Sequence, residues 1–262
     1  MASRYGETVR RIRAGETIYM AWSSIPSAEL SAELAIGGFP IVNLDMQHGG
    51  HDFASARAGV GAIVAAGGAA AVRVPVDAFA EISRVLDQGA EFVIVPMVNS
   101  AADARRAAAF AKYPPIGERS WGPATAMGVH AIGASTEYLA AANERTALMA
   151  MVETREALDN LDEILDVPGI DAVFVGPSDL SISLSDGAAF EPGGAGTMET
   201  AAGIAARARA AGKFAAIFCL SMHQVAAARG AGFSVIALGV ERALIRKAAA
   251  DAIAAASAPL ER

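Results

Sequence analysis

The sequence predicts an α/β fold, a (β/α)8 TIM barrel formed by one domain over residues 1–262. The chain length is close to the ~250 residues that such barrels typically have. Hydrophobic residues make up 53% of the chain and charged residues only 19%, which provides apolar material for one large core. Short apolar runs alternate with segments of helical periodicity, as in successive parallel βα units. Eight such units favour a closed barrel over a doubly wound open sheet, although periodicity alone does not prove closure.

The predicted strands are short apolar runs that each stop at glycine, proline or a polar residue. They cover residues 17–22, 40–44, 70–74, 92–95, 147–152, 170–175, 214–220 and 234–238. Apolar residues at helical spacing predict helices between them, after an amphipathic N-terminal helix. These helices cover residues 27–36, 53–66, 79–86, 101–112, 158–165, 201–211, 223–228 and 241–256. Ser27 is a predicted N-cap, and glycine pairs at 37–38 and 67–68 end two of the helices.

Two segments depart from this regular alternation. Residues 113–135 are rich in glycine, proline and alanine, and residues 181–200 are polar and glycine-rich. Long loops inside compact domains usually serve a site or an interface. We therefore expect the first segment to be a functional loop and the second to form a mobile flap.

Composition excludes several classes of partner. The formal net charge is −7 and no block of lysine or arginine occurs, which argues against a nucleic acid or an anionic membrane as partner. The longest apolar run, residues 58–72, contains four glycines and is shorter than a membrane helix. No secretory signal is visible at the start of the chain, so we expect a cytoplasmic protein with a small-molecule ligand. The single cysteine, Cys219, is expected to be a buried structural thiol.

Five ionisable residues lie at the carboxyl ends of four of the predicted strands. They are Asp45, His48, Arg73, Glu153 and Asp179. In a barrel the carboxyl ends of the strands meet on one face, which is where active sites lie. Each residue alone has a structural explanation, since Arg73 could pair with an acid and Asp179 could cap a helix. Their convergence favours function, because grouped charges are costly to desolvate.

The two acids form the predicted metal site. Glu153 and Asp179 are 179 − 153 = 26 residues apart in sequence but end neighbouring strands of one βαβ unit. Converging carboxylates repel each other unless a proton or a cation lies between them. No lysine follows a strand in this way, which disfavours a Schiff-base mechanism.

Four motifs, in this order and spacing, resemble those of the HpcH/HpaI aldolase family. The motifs are DMQH, VRVP, VETREALDN and GPSDLS, and the resemblance extends from about residue 19 to about residue 240. The family comprises class II pyruvate aldolases on a barrel fold. The resemblance implies that Glu153 and Asp179 bind Mg²⁺ or Mn²⁺, with Co²⁺ also compatible. It also implies an assembly of several copies, a trimer or hexamer. The alanine-rich C-terminal helix and the long loop at 114–135 are the segments expected to make the contacts between copies.

The same resemblance implies roles for the remaining site residues. Arg73 would contact the keto oxygen of pyruvate, and His48, partnered by Asp45, would transfer the proton. Backbone N–H groups at Ser178 and Asp179, in the motif that starts at Gly176, would bind the pyruvate carboxylate.

An acceptor pocket is predicted from aromatic and apolar residues near the strand ends. The candidates are Trp22, Trp121, Phe218 and Leu220, with Gln47 beside the predicted base. Core packing explains Phe218 equally well. Gln47 and Met151 stand where many family members carry an acid and a glutamine, so the acceptor preference is left open. His51, His130 and His223 have no partner at metal-ligand spacing and are expected on the surface or in loops.

The predicted activity is the reversible cleavage of a 4-hydroxy-2-oxo acid to pyruvate, or hydroxypyruvate, and an aldehyde, through an enolate held by the metal. Oxaloacetate decarboxylation and a citryl- or malyl-CoA-type lyase reaction are alternatives on the same scaffold. A basic surface for coenzyme A phosphates is not evident in the sequence. A 2-oxo acid binder without catalysis is the alternative from a different class, and the complete set of acid, base and metal ligands disfavours it.

Overall fold

The computed structural model describes residues 4–257 and contains a closed barrel of eight parallel strands. The strands are β1 Ile18–Ser23, β2 Ile41–Asp45, β3 Ala69–Arg73, β4 Phe92–Val95, β5 Ala147–Val152, β6 Ala172–Val175, β7 Phe214–Phe218 and β8 Val235–Val240. Each strand pairs with the next one in sequence, and β8 pairs with β1. The predicted (β/α)8 barrel is confirmed, and the predicted strands are displaced by no more than a few residues at their ends.

Helices surround the barrel and close its lower end. They are α1 Glu7–Arg13, α2 Ala28–Ile36, α3 Phe53–Ala65, α4 Phe79–Asp87, α5 Ala101–Ala111, α6 Ala124–Val129, α7 Ser135–Arg145, α8 Arg155–Asp159, α9 Leu161–Leu165, α10 Pro177–Leu184, α11 Ala195–Ala210, α12 Met222–Gly230 and α13 Glu241–Ser257. The helix predicted at 158–165 is thus two short helices, divided at Asn160. Within residues 4–257, none of these helices is long and apolar enough to cross a membrane.

Local capping explains where several helices begin. The hydroxyl of Ser27 accepts the backbone N–H of Leu30, which confirms the predicted cap of α2. Asp52 and Ser55 form a reciprocal capping box at α3, with the Ser55 N–H 2.8 Å from the Asp52 carboxylate.

The predicted flap at 181–200 is wrong in most of its length. Helix α10 continues to Leu184 and α11 already starts at Ala195, so only ten residues between them are irregular. Ser185 explains part of this order, because its hydroxyl accepts the N–H of Ala189 and donates to the carbonyl of the same residue. Similarly, the long loop at 113–135 contains α6, whose Ala126 is fully buried.

The core has two layers. Side chains that point outward from the strands pack beneath the surrounding helices. Inward-pointing side chains fill the barrel, with Met20, Phe92, Met149 and Phe174 completely buried. Helix α1 lies across the amino-terminal ends of the strands, where Val9 and Ile12 join the interior cluster. The carboxyl ends of the strands are left open, and this is the end where the predicted site residues lie.

Candidate active site

A cavity of about 300 Å³ lies at the carboxyl ends of the strands. Its wall is formed by Trp22, Ser24, Asp45, His48, Arg73, Met151, Phe174, Gly176, Pro177, Ser178, Asp179, Phe218 and Val240. The structure therefore brings together residues from seven strand exits that are far apart in sequence.

Asp45 and Arg73 form a buried ion pair on this face. The two residues are directly opposite each other in the β2–β3 register, so both side chains point into the barrel mouth. Arg73 Nε donates to Asp45 Oδ1 at 2.8 Å, and Arg73 Nη2 donates to Oδ2 at 2.7 Å. Burial opposes ionisation of Asp45, but the bonds from Arg73 and Trp22 outweigh it and hold the pKa of Asp45 below its usual value.

The predicted partnership between Asp45 and the ring of His48 is not what the structure shows. Asp45 accepts the backbone N–H of His48 at 3.3 Å, and its remaining bonds go to Arg73, Trp22 and the backbone of Gln47. The physical reason is the β2–β3 register, which places a guanidinium beside the carboxylate before the chain turns toward His48. His48 itself is exposed at the rim of the cavity.

Glu153 is the buried carboxylate of the predicted metal pair. It follows β5, is 2% exposed, and accepts the backbone N–H of Met97 at 2.9 Å. Burial raises the pKa of Glu153 to about 7, and the nearby charge of Asp179 adds to this effect. The bond from Met97 and the charge of Arg73 act in the opposite direction. A buried carboxyl beside a second acid has the electrostatic environment that a divalent cation would relieve.

One carboxylate oxygen of Glu153, Oε2, lies beside Gly176, which has no side chain. A Cβ atom placed on Gly176 would lie 2.4 Å from Glu153 Oε2, so the glycine provides space for the carboxylate. Met97, which holds the other oxygen, has a φ of 56°, in the left-handed region that is unfavourable for a methionine. Such local strain is typical of functional sites.

Asp179 lies at the start of α10, the helix that follows β6. Pro177 occupies the first turn and Gly176 precedes it, so the N–H groups of Ser178 and Asp179 have no acceptor within the helix. Asp179 is exposed to the cavity. The N-terminal turn thus combines free N–H donors with one carboxylate, a surface suited to an anion beside a cation.

The donor set fits a divalent cation that retains open positions. Glu153 and Asp179 are hard oxygen ligands, as Mg²⁺ and Mn²⁺ prefer. In the described part of the chain, no cluster of three or more histidine, cysteine, aspartate or glutamate side chains could enclose a metal. Two carboxylates therefore leave room for oxygen atoms of a substrate.

Some predicted pocket residues lie elsewhere. Neither Leu220 nor Gln47 is part of the cavity wall. Leu220 is 57% exposed just beyond β7, where its backbone N–H donates to the side-chain oxygen of Gln224. The side-chain oxygen of Gln47 is buried in the protein instead. Trp121 is at the opposite end of the barrel, where it packs against Tyr113 and Tyr138. Trp22 and Phe218 line the cavity.

The remaining histidines and the cysteine are accounted for by packing. His51 and His130 lie in loops, which the prediction allowed, but they are not on the surface: both are buried, His51 bonds the hydroxyl of Ser23, and His130 bonds the carbonyl of Gly89. His223 is exposed. Burial raises the pKa of Cys219 to about 12, as expected for an unreactive thiol.

Other site residues were not identified from the sequence. Phe174, Pro177 and Val240 line the cavity, and Met97 holds Glu153. Phe174 could have been found from alternation, because it lies two residues before Gly176 and therefore points to the same side of β6. Met97 acts through its backbone, which no side-chain pattern reveals.

A parallel barrel with an arginine–aspartate pair, two acids suited to a cation and a histidine over its carboxyl face defines an enzyme that stabilises negative charge on a small oxygen-rich substrate. The family model of the HpcH/HpaI aldolase/citrate lyase family matches residues 18–248. The chain belongs to the HpcH/HpaI aldolase/citrate lyase family, and it is a carbon–carbon lyase of the aldolase type.

Named relatives and a solved structure agree with this assignment. A hydroxypyruvate/pyruvate aldolase of Rhizorhabdus wittichii is 36% identical over 244 residues, which cover 93% of this chain and 96% of that protein. A 2-keto-3-deoxy-L-rhamnonate aldolase of Shigella sonnei is 36% identical over 239 residues, covering 89% of this chain and 86% of that protein. The crystal structure of a family member from Burkholderia cenocepacia has a TM-score of 0.85 and 26% identity, and the match covers 97% of this chain and all of that one, 100%.

Proposed function

We propose that this protein cleaves a 4-hydroxy-2-oxo acid reversibly to pyruvate, or hydroxypyruvate, and an aldehyde. The observation that carries the proposal is that three features lie together at the carboxyl ends of the strands: the Arg73–Asp45 pair, the Glu153–Asp179 acids and the free N–H groups of α10. Together they provide positive charge and N–H donors for the carboxylate and keto oxygens of a 2-oxo acid. The names of the relatives are consistent with this substrate class.

Glu153 and Asp179 are the residues that would hold the metal. A divalent cation such as Mg²⁺ or Mn²⁺, when bound there, supplies a Lewis acid that withdraws electron density from the 2-oxo acid. Glu153 is held in place for this role by the N–H of Met97, and the missing side chain of Gly176 leaves space for its second oxygen.

The protein itself binds and orients the substrate. The N–H groups of Ser178 and Asp179 receive the carboxylate of the 2-oxo acid at the positive end of α10. Arg73 uses the N–H of Nε and one N–H of Nη2 for Asp45, and both N–H groups of Nη1 remain to face the keto oxygen. Negative charge that develops on this oxygen as the carbon bond breaks is thereby stabilised by a guanidinium already fixed in place.

His48 is the proton acceptor in this scheme. Its exposed ring lines the cavity mouth, and histidine exchanges protons near neutral pH. In cleavage it takes the proton of the 4-hydroxyl group, directly or through a water molecule. In the reverse direction it returns this proton to the new alkoxide.

We also propose that copies of the chain associate through α13. Arg242 to Ser257 are all exposed, although Leu244, Ile245 and Ile253 are large apolar side chains on this helix. A groove of about 410 Å³ lies over the β8–β1 junction, lined largely by apolar side chains of Tyr19, Phe39, Met222, Val225 and Leu238. In a barrel this position is normally covered by the helix that follows the eighth strand. An α13 helix from a second copy supplies that cover and buries its own apolar face.

The activity is tested by measuring pyruvate release from a panel of 4-hydroxy-2-oxo acids. We expect release with Mg²⁺ or Mn²⁺, none with EDTA, and at least a roughly hundredfold loss in Glu153→Gln, because the amide removes one anionic ligand. The exposed surface residue Glu163 provides the matched control, and Glu163→Gln should retain full activity.

Two outcomes would contradict the proposal. Release that survives both EDTA and Glu153→Gln would exclude the metal site. Decarboxylation of oxaloacetate without cleavage of any hydroxy acid would assign the protein to the alternative reaction on the same scaffold.

A further inference from the structure

Trp22 contacts both members of the buried ion pair. Its indole Nε1 donates to Asp45 Oδ2 at 3.1 Å, and the guanidinium carbon of Arg73 lies 4.8 Å from the centroid of its ring. One side chain thus binds the carboxylate through an N–H group and the guanidinium through its π face.

The surroundings of Trp22 hold the indole in this position. Its ring packs edge-on against Phe218, with centroids 5.2 Å apart, and is tilted against Phe174 at 5.8 Å. The β1–β8 register is irregular between Met20 and Trp22, and Gly239 on the opposite strand has a φ of 79°. Such irregularities redirect side chains at the ends of strands. Trp22 is 5% exposed, so the indole has little freedom to turn away.

The indole limits how Arg73 can pair with Asp45. A guanidinium can bind a carboxylate through its Nε edge or through its two terminal nitrogens, and the two arrangements point the remaining donors in different directions. Here the Nε edge faces Asp45, and Oδ2 already accepts the indole N–H. The ring face lies against the guanidinium and opposes tilting of its plane, while the two bonds to Asp45 set its orientation within that plane. Nη1 remains directed away from Asp45.

We propose that Trp22 is a positioning residue that fixes the orientation of Arg73 toward the keto oxygen of the substrate. The inference rests on the proposed function and adds a second role to Trp22, which also forms part of the cavity wall. The orientation of the Arg73 guanidinium toward the substrate then depends on the indole N–H of Trp22 and not only on the space that the indole ring fills.

Trp22→Phe separates these two properties, because phenylalanine keeps an aromatic ring but has no N–H group. The readout is the exchange of the pyruvate methyl protons in D2O with Mg²⁺, followed by proton NMR, which requires no aldehyde. We expect kcat for exchange to fall roughly tenfold to a hundredfold, the effect of losing a hydrogen bond to a charged group. KM should change less than about twofold, since the carboxylate contacts at α10 remain.

A double-mutant cycle with Arg73→Lys distinguishes positioning from packing. Lysine has no planar fork to orient, so adding Trp22→Phe to Arg73→Lys should change kcat less than about twofold. Additive effects, or an unchanged kcat in Trp22→Phe alone, would overturn the inference. Trp121→Phe is the matched control, because Trp121 lies at the other end of the barrel and the chain has 2 tryptophans.

Folding and function are checked separately. Circular dichroism and thermal unfolding verify that Trp22→Phe folds, and Trp22→Leu tests the loss of the aromatic ring as well. Oxalate, a planar analogue of the pyruvate enolate, provides a binding readout by calorimetry that needs no turnover. Absence of exchange in the wild-type protein would count against the proposed function, and equal oxalate affinities of wild type and Trp22→Phe would then overturn the inference about Trp22.

Discussion

Gly176 illustrates how one missing side chain determines the environment of a charged group. It lies between β6 and α10, directly beside the carboxylate of Glu153. The backbone there has φ −93°, which any residue adopts, so conformational freedom is not the reason for glycine. The reason is space, because any Cβ would overlap Glu153 Oε2.

Gly176→Ala should therefore impair the metal site while leaving the fold intact. The added methyl group would lie 2.4 Å from Glu153 Oε2 in the present geometry, so the carboxylate must move. We expect Mn²⁺ affinity to fall roughly tenfold to a hundredfold, as when other groups that orient metal ligands are changed. Electron paramagnetic resonance of free Mn²⁺ measures the dissociation constant directly.

Gly203→Ala is the control for this substitution. Gly203 lies within α11, and nothing within 4 Å would meet its Cβ. The change should leave Mn²⁺ binding unaltered and raise the free energy of unfolding by about 0.5–1 kcal/mol, since alanine is the better helix former. Equal Mn²⁺ affinities of the Gly176→Ala and wild-type proteins would show that Glu153 does not bind the cation.

At the scale of elements, α1 is attached to the barrel through a buried acid. Glu91, immediately before β4, accepts the backbone N–H of Gly6 at 2.9 Å. Burial raises the pKa of Glu91 from 4.5 to about 8, and the charge of Glu7 adds to this, while the Gly6 bond and Arg4 oppose it. The neutral form of Glu91 is thus favoured in the folded state.

The consequence is a loss of stability as pH rises. Glu91 ionises near pH 4.5 in the unfolded chain but only near pH 8 in the folded protein. The contribution of Glu91 to the free energy of unfolding is therefore complete below about pH 4.5 and is lost as the pH rises from 4.5 to 8. Glu91→Gln is always neutral and can still accept the Gly6 N–H. We expect it to exceed wild type by about 2 kcal/mol in free energy of unfolding at pH 9 and to differ little at pH 5. Urea unfolding at both pH values tests this, and a difference independent of pH would contradict it.

At the scale of the whole molecule, α13 is a helix that projects from the barrel, and only the first of its residues is buried. Its first residue, Glu241, is completely buried, and its Oε1 accepts the backbone N–H groups of Ser24 and Ile25 at 2.6 and 2.5 Å. The base of the helix is therefore fixed at the rim of the active site, while the rest projects outward. Association through this helix would be anchored next to the cavity.

Ile253→Glu should prevent this association. Ile253 is 68% exposed in a single copy, and an interface through α13 would bury the new carboxylate without a partner. We expect multi-angle light scattering to show an oligomer for wild type and a lower mass for the variant. Leu139→Glu, on the exposed surface of α7, is the matched control and should keep the wild-type mass. A monomeric wild-type protein would refute the proposal.

The local signals in the sequence predict the eight βα units and place the charged residues at the ends of their strands. Strand runs, glycine stops and the Ser27 cap are short-range features, because a strand or a helix end depends on residues a few positions apart. Once eight parallel strands close, their carboxyl ends must share one face, so the grouping of Asp45, Arg73 and Asp179 follows from topology.

The partners of those residues were decided only by the tertiary structure. The family resemblance implies that Asp45 is the partner of His48, whereas the strand register places the Asp45 carboxylate against Arg73 and Trp22. The order within 181–200 and the burial of His51 likewise depend on contacts with distant elements. Packing between elements that are remote in sequence determines the hydrogen-bond partners, the cavity walls and the space beside Glu153. A local sequence pattern carries no information about this packing.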